Sequence, residues 1–291
     1  MKTEKTTACL SMEKMDNRPF NSVGSSRIRV RWLLNYWPEA EEYVIGKKYD
    51  VHVYQKVYWG DMMKNFEGIK ILDLCDPDWL EDKPVFEFID LVDAVTTSTQ
   101  ALADFILKIR PEALVKCIPD RVYLPECKPI KTMHKGLLKK IVWFGYHHNT
   151  HYLNSTFDEL IKRGITLTII SDNPMGVSLA YRNRLKVNNI PYDQETVFKE
   201  LVRADAVLMP KPRGDDKGKF KSNNKIIQSM ALGLPVVIEP EDLDRLEGAE
   251  ERAKESVKGL KEVKEKWSVE ESVKEMRAII EEIKERKRKK A

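Results

Sequence analysis

Val207-Leu-Met-Pro-Lys-Pro-Arg-Gly-Asp-Asp-Lys-Gly-Lys-Phe-Lys-Ser-Asn-Asn-Lys-Ile-Ile-Gln-Ser-Met-Ala-Leu-Gly-Leu-Pro-Val-Val-Ile238 reads as an apolar strand, a basic loop, a short helix and a second apolar strand. Ser222 is of the type that caps a helix N-terminus, Ile226 and Met230 share one helical face, and Gly233 stands where a left-handed C-cap belongs. The helix is therefore expected over about residues 223–232. Lys225 falls in its first turn and Lys221 just before it. A cation there opposes the helix dipole at a cost of a few tenths to about 1 kcal/mol, so stability alone would favour an acid. A bound anion reverses that sign. Free N–H groups at the helix start, near Asn223 and Asn224, would then converge with the Ser222 hydroxyl and the ammonium groups on a phosphate or diphosphate. A solvated basic loop ahead of an ordinary helix accounts for the same residues without a ligand.

Upstream of this segment the chain alternates strand and helix. Lys139-Lys-Ile-Val-Trp-Phe-Gly145 and Ile165-Thr-Leu-Thr-Ile-Ile170 read as strands, residues 151–163 and 194–203 as helices, and Ala206-Val-Leu-Met209 as a third strand. Nearly continuous apolar strands mean burial on both faces, hence a mostly parallel sheet with helices on either side. Ligands of such sheets bind beyond the carboxyl ends of the strands. Three loops leave those ends, from Gly145 to Thr150, from Ser171 to Met175 and from Pro210 to Lys221, and they should share one rim. Gly145, Tyr146, His147, Asn149, Ser171 and Asp172, with Lys211 and Arg213 of the third loop, are thereby candidate ligand contacts.

The amino half shows the same alternation, with strands expected near residues 7–11, 49–54, 70–74, 94–97 and 115–118 and helices near 28–36, 85–91 and 100–109. A second doubly wound domain over residues 1–124 follows. Pro125 to Gly136, with two prolines and a glycine, reads as a linker to the domain at 137–247. Residues 248–291 form a charged tail in which Trp267, Val269, Val273, Met276, Ile279, Ile280 and Ile283 recur at roughly helical spacing, so one face should pack against the domains. Its end, Glu285-Arg-Lys-Arg-Lys-Lys290, is a basic run that would attract an anionic surface or sit in water as a helix C-terminus.

At 291 residues the chain has room for two domains, each with its own core. Charged residues are 33% and hydrophobic residues 42%, with 50 Lys+Arg against 46 Asp+Glu, a soluble balance with no demand for nucleic acid. Cys9, Cys75, Cys117 and Cys127 show neither a paired spacing nor a zinc pattern. With no secretory or membrane-length apolar run, a reducing cytoplasm is the simplest location, and the basic end would allow peripheral attachment to the inner membrane face.

Three segments together resemble the GT-B glycosyltransferases, in particular the family-four (glycosyltransferase group 1) type. Leu91-Val-Asp-Ala-Val-Thr-Thr-Ser-Thr-Gln-Ala-Leu-Ala-Asp-Phe-Ile106, continuing to Cys117-Ile-Pro-Asp-Arg-Val122, is similar to the end of the acceptor-side domain in that family. Ile141-Val-Trp-Phe-Gly145 is similar to the opening strand of the donor domain, and Lys221 to Val237 to the donor-site helix. The resemblance implies an α/β fold of two Rossmann-like doubly wound domains facing across a cleft. It also implies transfer of a sugar from a nucleotide diphospho-sugar to a hydroxyl acceptor, such as a glycan, a lipid-linked sugar or a small molecule. In this type the last helix often returns to the amino domain. Two departures stand out: where the family places two glutamates spaced by seven residues, this chain has Phe220 and Gln228, and Ser22-Val-Gly-Ser-Ser-Arg-Ile-Arg29 replaces a glycine-rich loop. The Gln228 amide can still accept hydrogen bonds.

The chemistry implied is electrostatic, because negative charge builds on the leaving diphosphate and fixed cations and N–H dipoles stabilise it. Lys211, Arg213, Lys221 and Lys225 are the candidate cations, with Ser222, Asn223 and Asn224 as neutral donors; no metal and no cofactor beyond the nucleotide sugar is required. Ser25, Ser26, Arg27 and Arg29 are the acceptor-side candidates, against the alternative of a loop and an amphipathic helix with its arginines in water. Asp76, in Asp76-Pro-Asp78 after a strand, is a candidate general base, against a turn with Asp78 as N-cap. His147, His148 and His151 lack a completing ligand set for metal. A transferase acting on DNA bases, and a nucleotide- or sugar-binding protein without turnover, are the alternative functions; the missing glutamate pair motivates the second.

Overall fold

The computed structural model describes residues 4–20, 23–210 and 216–290. The chain forms two compact units: Met1–Tyr123 with Lys219–Ser222 and Ser268–Ala291, and Leu124–Gly218 with Asn223–Trp267.

The first unit is built on six strands, β1 (Thr7–Ser11), β2 (Ala40–Glu42), β3 (Val51–Gln55), β4 (Ile69–Leu74), β5 (Ala94–Thr97) and β6 (Val115–Cys117). They are all parallel, in the order β2-β1-β3-β4-β5-β6, with Cys9 opposite Val53, Val53 opposite Ile71 and Leu72 opposite Val95. Leu10, Tyr54, Leu72, Leu74, Val95 and Ile106 fill one layer of its core. The Gln100–Ile109 helix starts at Thr99, whose hydroxyl accepts from the Leu102 N–H, and buries Leu102, Ala103 and Ile106 on one face. The order reverses between β1 and β3, and that switch point is where doubly wound sheets place their ligand crevice.

The second unit has β7 (Lys140–Phe144), β8 (Thr166–Ser171), β9 (Val187–Pro191), β10 (Ala206–Leu208) and β11 (Val236–Val237), again all parallel, in the order β11-β10-β7-β8-β9. Its switch point lies between β7 and β10. Ile141, Trp143, Leu153, Phe157, Leu160, Leu167, Ile169 and Leu208 form its core. The expected helix over 151–163 is a 3-10 helix at His147–Thr156 that becomes α-helical only at Phe157–Lys162, and the helix expected over 194–203 is confined to Val197–Leu201. Gly233 has φ +71° as expected, and a Cβ there would lie 2.5 Å from the Lys131 carbonyl oxygen.

The tail is two helices. Ala249–Lys266 belongs to the second unit, where Arg252 donates to the carbonyls of Lys135, Gly136, Leu246 and Glu247. Val269–Lys290 belongs to the first, held by Arg121 on Ser272 and Glu275, Arg277 on Glu39 and a parallel bridge from Val122 to Ser268. Among the described residues no helix is long and apolar enough to cross a membrane.

His52 offers a test of the first unit's core. It is 6% exposed, its ring stacks on Phe66 with centroids 3.6 Å apart, and its Nδ1 lies 3.0 Å from the Tyr54 hydroxyl. Burial pushes its pKa down from 6.5 to about 4. Between those values the unfolded chain binds a proton that the folded chain refuses. The stability associated with neutral His52 is thus complete above pH 6.5 and is lost as pH falls towards 4, by about 3 kcal/mol. Urea unfolding across that window should show a shallower loss in His52→Asn than in the unsubstituted chain; equal slopes would assign the acid loss to other groups.

Candidate functional site

Parallel strands put the loops after β7 and β8 at one edge of the second unit's sheet, as the sequence implies; of the third expected loop, residues 211–215 lie outside the described residues and Lys219–Ser222 belongs to the first unit. The first two are tied together: the His147 N–H donates to Asp172 Oδ1 at 2.6 Å, and the Ser171 hydroxyl donates to the same oxygen at 3.1 Å. Burial raises the Asp172 carboxyl, but these donors outweigh it and hold its pKa below the ordinary value. Gly145 leaves β7 directly onto Lys225. A Cβ at Gly145 would sit 2.9 Å from the Trp143 ring and 3.2 Å from Lys225 Cε, so the lysine stem crosses close over the end of this strand. Tyr146 is half-exposed and its ring lies 5.7 Å from that of His148 at 13°. Asn149 reaches the His148 ring, and the His151 ring bonds the His148 carbonyl oxygen. Among the described residues no group of three or more His, Cys, Asp or Glu is placed to hold a metal ion.

The helix after the basic loop spans Asn224–Ala231, one residue later than expected at its start. Asn223 occupies the N-cap position and makes no side-chain cap hydrogen bond. Ser222 does not cap it. Its hydroxyl donates to Asp120 Oδ2 at 2.6 Å, because Lys219–Ser222 is part of the first unit. The cause is Phe220, which is 3% exposed and packs its ring edge-on to Trp79 at 5.4 Å and to Phe105 at 5.7 Å, while the Thr99 hydroxyl donates to its carbonyl oxygen. So the position of an expected glutamate holds an apolar anchor. Lys221, expected beside Lys225, lies 4.0 Å from Asp76 Oδ1 within the first unit. Gln228 is buried. Lys211 and Arg213 lie outside the described residues.

At the carboxyl edge of the first unit's sheet, side chains from the switch point and the next strand meet. The Ser26 hydroxyl donates to Gln55 Oε1 at 3.2 Å, the Glu13 N–H donates to Ser26, and the Val23 N–H donates to Glu13 Oε2 at 2.8 Å. Lys56, the residue after β3, reaches Asp76 Oδ2 at 2.8 Å and Asp78 Oδ1 at 2.9 Å. The Tyr58 hydroxyl donates to Asp78 Oδ2 at 2.7 Å. Asp78 therefore faces inward to a lysine and a tyrosine, and the N-cap of the Asp78–Glu81 turn of helix is Pro77, not the Asp78 expected. Burial raises the Asp76 carboxyl, but the charge and hydrogen bond of Lys56, then Lys221 and the Cys75 thiol, outweigh it and hold its pKa below the ordinary value.

The arginines of the amino-terminal loop are placed otherwise than expected. Ser25 is half-buried on the helix that opens at Gly24, and Arg27 is buried with its guanidinium 5.7 Å from the Trp32 ring. Arg29 is neither in water nor open to an acceptor. It is 6% exposed, with Nε on Asp73 Oδ2 at 3.0 Å and Nη1 on the Ile118 carbonyl oxygen at 2.6 Å and on Asp120 Oδ1 at 3.1 Å. Thr96 donates to Asp73 as well. Asp120 thereby joins the Arg29 network to Ser222. Sequence reasoning missed Lys56 and Gln55 as site residues, since their contacts depend on the strand order. Phe220 alone carried a local signal, a single aromatic residue among lysines.

No protein-family model matches the sequence, and no curated protein matches it either. Solved structures do resemble the fold. HepE of Anabaena, solved in complex with UDP and glucose, superposes with a TM-score of 0.63 at 10% identity over 96% of this chain and 100% of its own. TarM gives 0.61 at 14% identity over 79% of this chain, which spans only 54% of TarM. The BGT of T4 phage, solved with its UDP-glucose substrate, gives 0.53 at 13% identity over 98% of both chains. Identities this low speak for fold, and the fold of this chain is GT-B: two Rossmann-like units, each a parallel sheet flanked by helices.

Proposed function

We propose that the chain is a glycosyltransferase that moves a sugar from a nucleotide diphospho-sugar to a hydroxyl acceptor without a metal ion. The observation that carries the reading is the crossing of Lys225 over Gly145 at the β7/β10 switch point. It sets an ammonium and the start of the Asn224–Ala231 helix at the edge where doubly wound sheets bind nucleotides. The complexes of HepE with UDP and of T4 phage BGT with UDP-glucose support it, at the level of a shared fold.

In this reading the bond from the anomeric carbon to the diphosphate oxygen breaks. The charge left on the diphosphate is stabilised by Lys225, by the first-turn N–H groups and by the cations of the basic loop. Asn223 and Asn224 add neutral donors, and Tyr146 and the Asp172-braced loop bound the donor. Asp76, already ionised, accepts the acceptor's hydroxyl proton as the new bond forms. Asp76-Pro-Asp78 needs no metal in this scheme, because an ammonium already sits between its carboxylates. A cytoplasmic location fits a nucleotide-sugar donor. The basic end of the tail enters only as a contact for anionic surfaces, weakened by the pairing of Lys284, Arg286 and Lys287 with Glu281, Glu282 and Asp93.

Calorimetry with UDP, GDP, ADP and CDP tests the donor site. One of them should bind, and Lys225→Ala should weaken it by about 1 to 3 kcal/mol, roughly 5- to 150-fold in Kd, with the melting temperature nearly unchanged. A folded Lys225→Ala variant with unaltered affinity removes this lysine from the phosphate site.

A further inference from the structure

Lys56 stands outside everything the sequence assigns to the site. Its backbone has φ +53°, a left-handed conformation that costs a non-glycine residue about 1 kcal/mol or more. Such strain persists where the surroundings hold it. Here the Lys56 N–H donates to the Asp73 carbonyl oxygen at 3.1 Å, and the side chain, 12% exposed, ends between two carboxylates. The distances of 2.8 and 2.9 Å to Asp76 Oδ2 and Asp78 Oδ1 place Nζ as the shared cation of an Asp-x-Asp pair. We propose that Lys56 is the positioning residue for Asp76, a built-in cation that clamps one carboxylate oxygen and leaves the other for the acceptor hydroxyl. The inference rests on the reading of Asp76 as acceptor base.

The surroundings make the clamp directional. Asp76 Oδ2 takes the Lys56 ammonium and, at 3.4 Å, the Cys75 thiol, which in turn receives the Gln55 amide at 3.9 Å. The Ser98 hydroxyl, from the end of β5, donates to the Cys75 carbonyl oxygen. Oδ1 has Lys221 of the anchored segment at 4.0 Å, and the Asp76 side chain is 36% exposed whereas that of Asp78 is 3% exposed. Burial raises the Asp78 carboxyl beyond what Lys56 and the Tyr58 hydroxyl offset. Among the described residues the charged and titratable groups around Asp76 are thus Lys56, Cys75, Asp78 and Lys221, with Tyr58 behind Asp78. Of these, Lys56 is the cation in direct contact.

The test is a carbon-13 NMR titration of aspartate carboxyls in the full chain, with Asp76 assigned by its disappearance in Asp76→Asn. Asp76 should titrate below ordinary aspartates. In Lys56→Met the midpoint should rise by about 1 pH unit or more, and in Lys56→Arg it should stay low, because a neighbouring cation is restored. The acid limb of kcat/KM for UDP-glucose hydrolysis, with water as acceptor, should move in parallel. If Lys56→Met does not fold, the unsubstituted chain and Lys56→Arg still decide: a midpoint at or above that of ordinary aspartates in both overturns the clamp. An unmoved midpoint in folded Lys56→Met also overturns it. Full hydrolysis by Asp76→Asn overturns the base reading instead, whatever the titration shows.

Discussion

Asp73→Ala should destabilise the protein by about 3 to 5 kcal/mol, the range for removing one partner of a buried ion pair. Asp73 is 1% exposed and receives Arg29 through two nitrogens and Thr96 through its hydroxyl. Its loss leaves a guanidinium 6% exposed that keeps Asp120 and the Ile118 carbonyl oxygen as acceptors, so most of the desolvation of the charge goes uncompensated. For a unit of this size that corresponds to roughly 10 °C in Tm. Differential scanning calorimetry checks it. Because Asp120 also holds Ser222, the loss should loosen the Phe220 anchor. A loss below about 1 kcal/mol would mean that the Arg29 charge finds another partner or water, and that the network is not the keystone of this unit.

The second large effect concerns rate. Asp76→Asn keeps the shape and the hydrogen bond capacity towards Lys56 but cannot take a proton, so sugar transfer should slow by about 100- to 10,000-fold, the usual contribution of a general base. Nucleoside diphosphate affinity should stay within a few-fold of the unsubstituted chain, because Lys225 and the helix start belong to the second unit and Asp76 to the first. Initial rates under saturating donor, with calorimetry alongside, separate the two. Equal losses in rate and affinity would make Asp76 a binding group.

How far the sequence led depends on whether an element's cause is local. The strands at Thr7–Ser11 and Ala94–Thr97 and the Gln100–Ile109 helix appear where they were expected, since apolar runs and the Thr99 cap specify them within a few residues. Val187–Pro191 went unrecognised: Asn188, Asn189 and a terminal proline look like a loop, and only an edge position in the sheet makes them a strand. Arg29 reads as a surface cation until Asp73 and Asp120, 44 and 91 residues away, are brought to it. The same holds for Lys56, whose partners lie across the β3–β4 pairing. The Gly145–Lys225 crossing joins two candidates that the sequence named for separate reasons. Ser222 carries a real capping signal, but the burial of Phe220 outweighs it and turns the hydroxyl to Asp120. A cap contributes about 1 kcal/mol, whereas a fully buried aromatic side chain contributes about 1.5 to 3 kcal/mol.

Catalysis of sugar transfer from a nucleotide sugar is measured by turnover. The full chain is incubated with UDP-, GDP-, ADP- and CDP-sugars in EDTA, and released nucleoside diphosphate and free or transferred sugar are quantified together. At least one donor should be consumed with equal yields of nucleotide and sugar product; Asp76→Asn should abolish most of that release, and Lys225→Ala should raise the donor concentration required. Release that appears only after manganese or magnesium is added would contradict the metal-free scheme. No release from any donor, together with no binding of any nucleoside diphosphate, would contradict the glycosyltransferase reading itself.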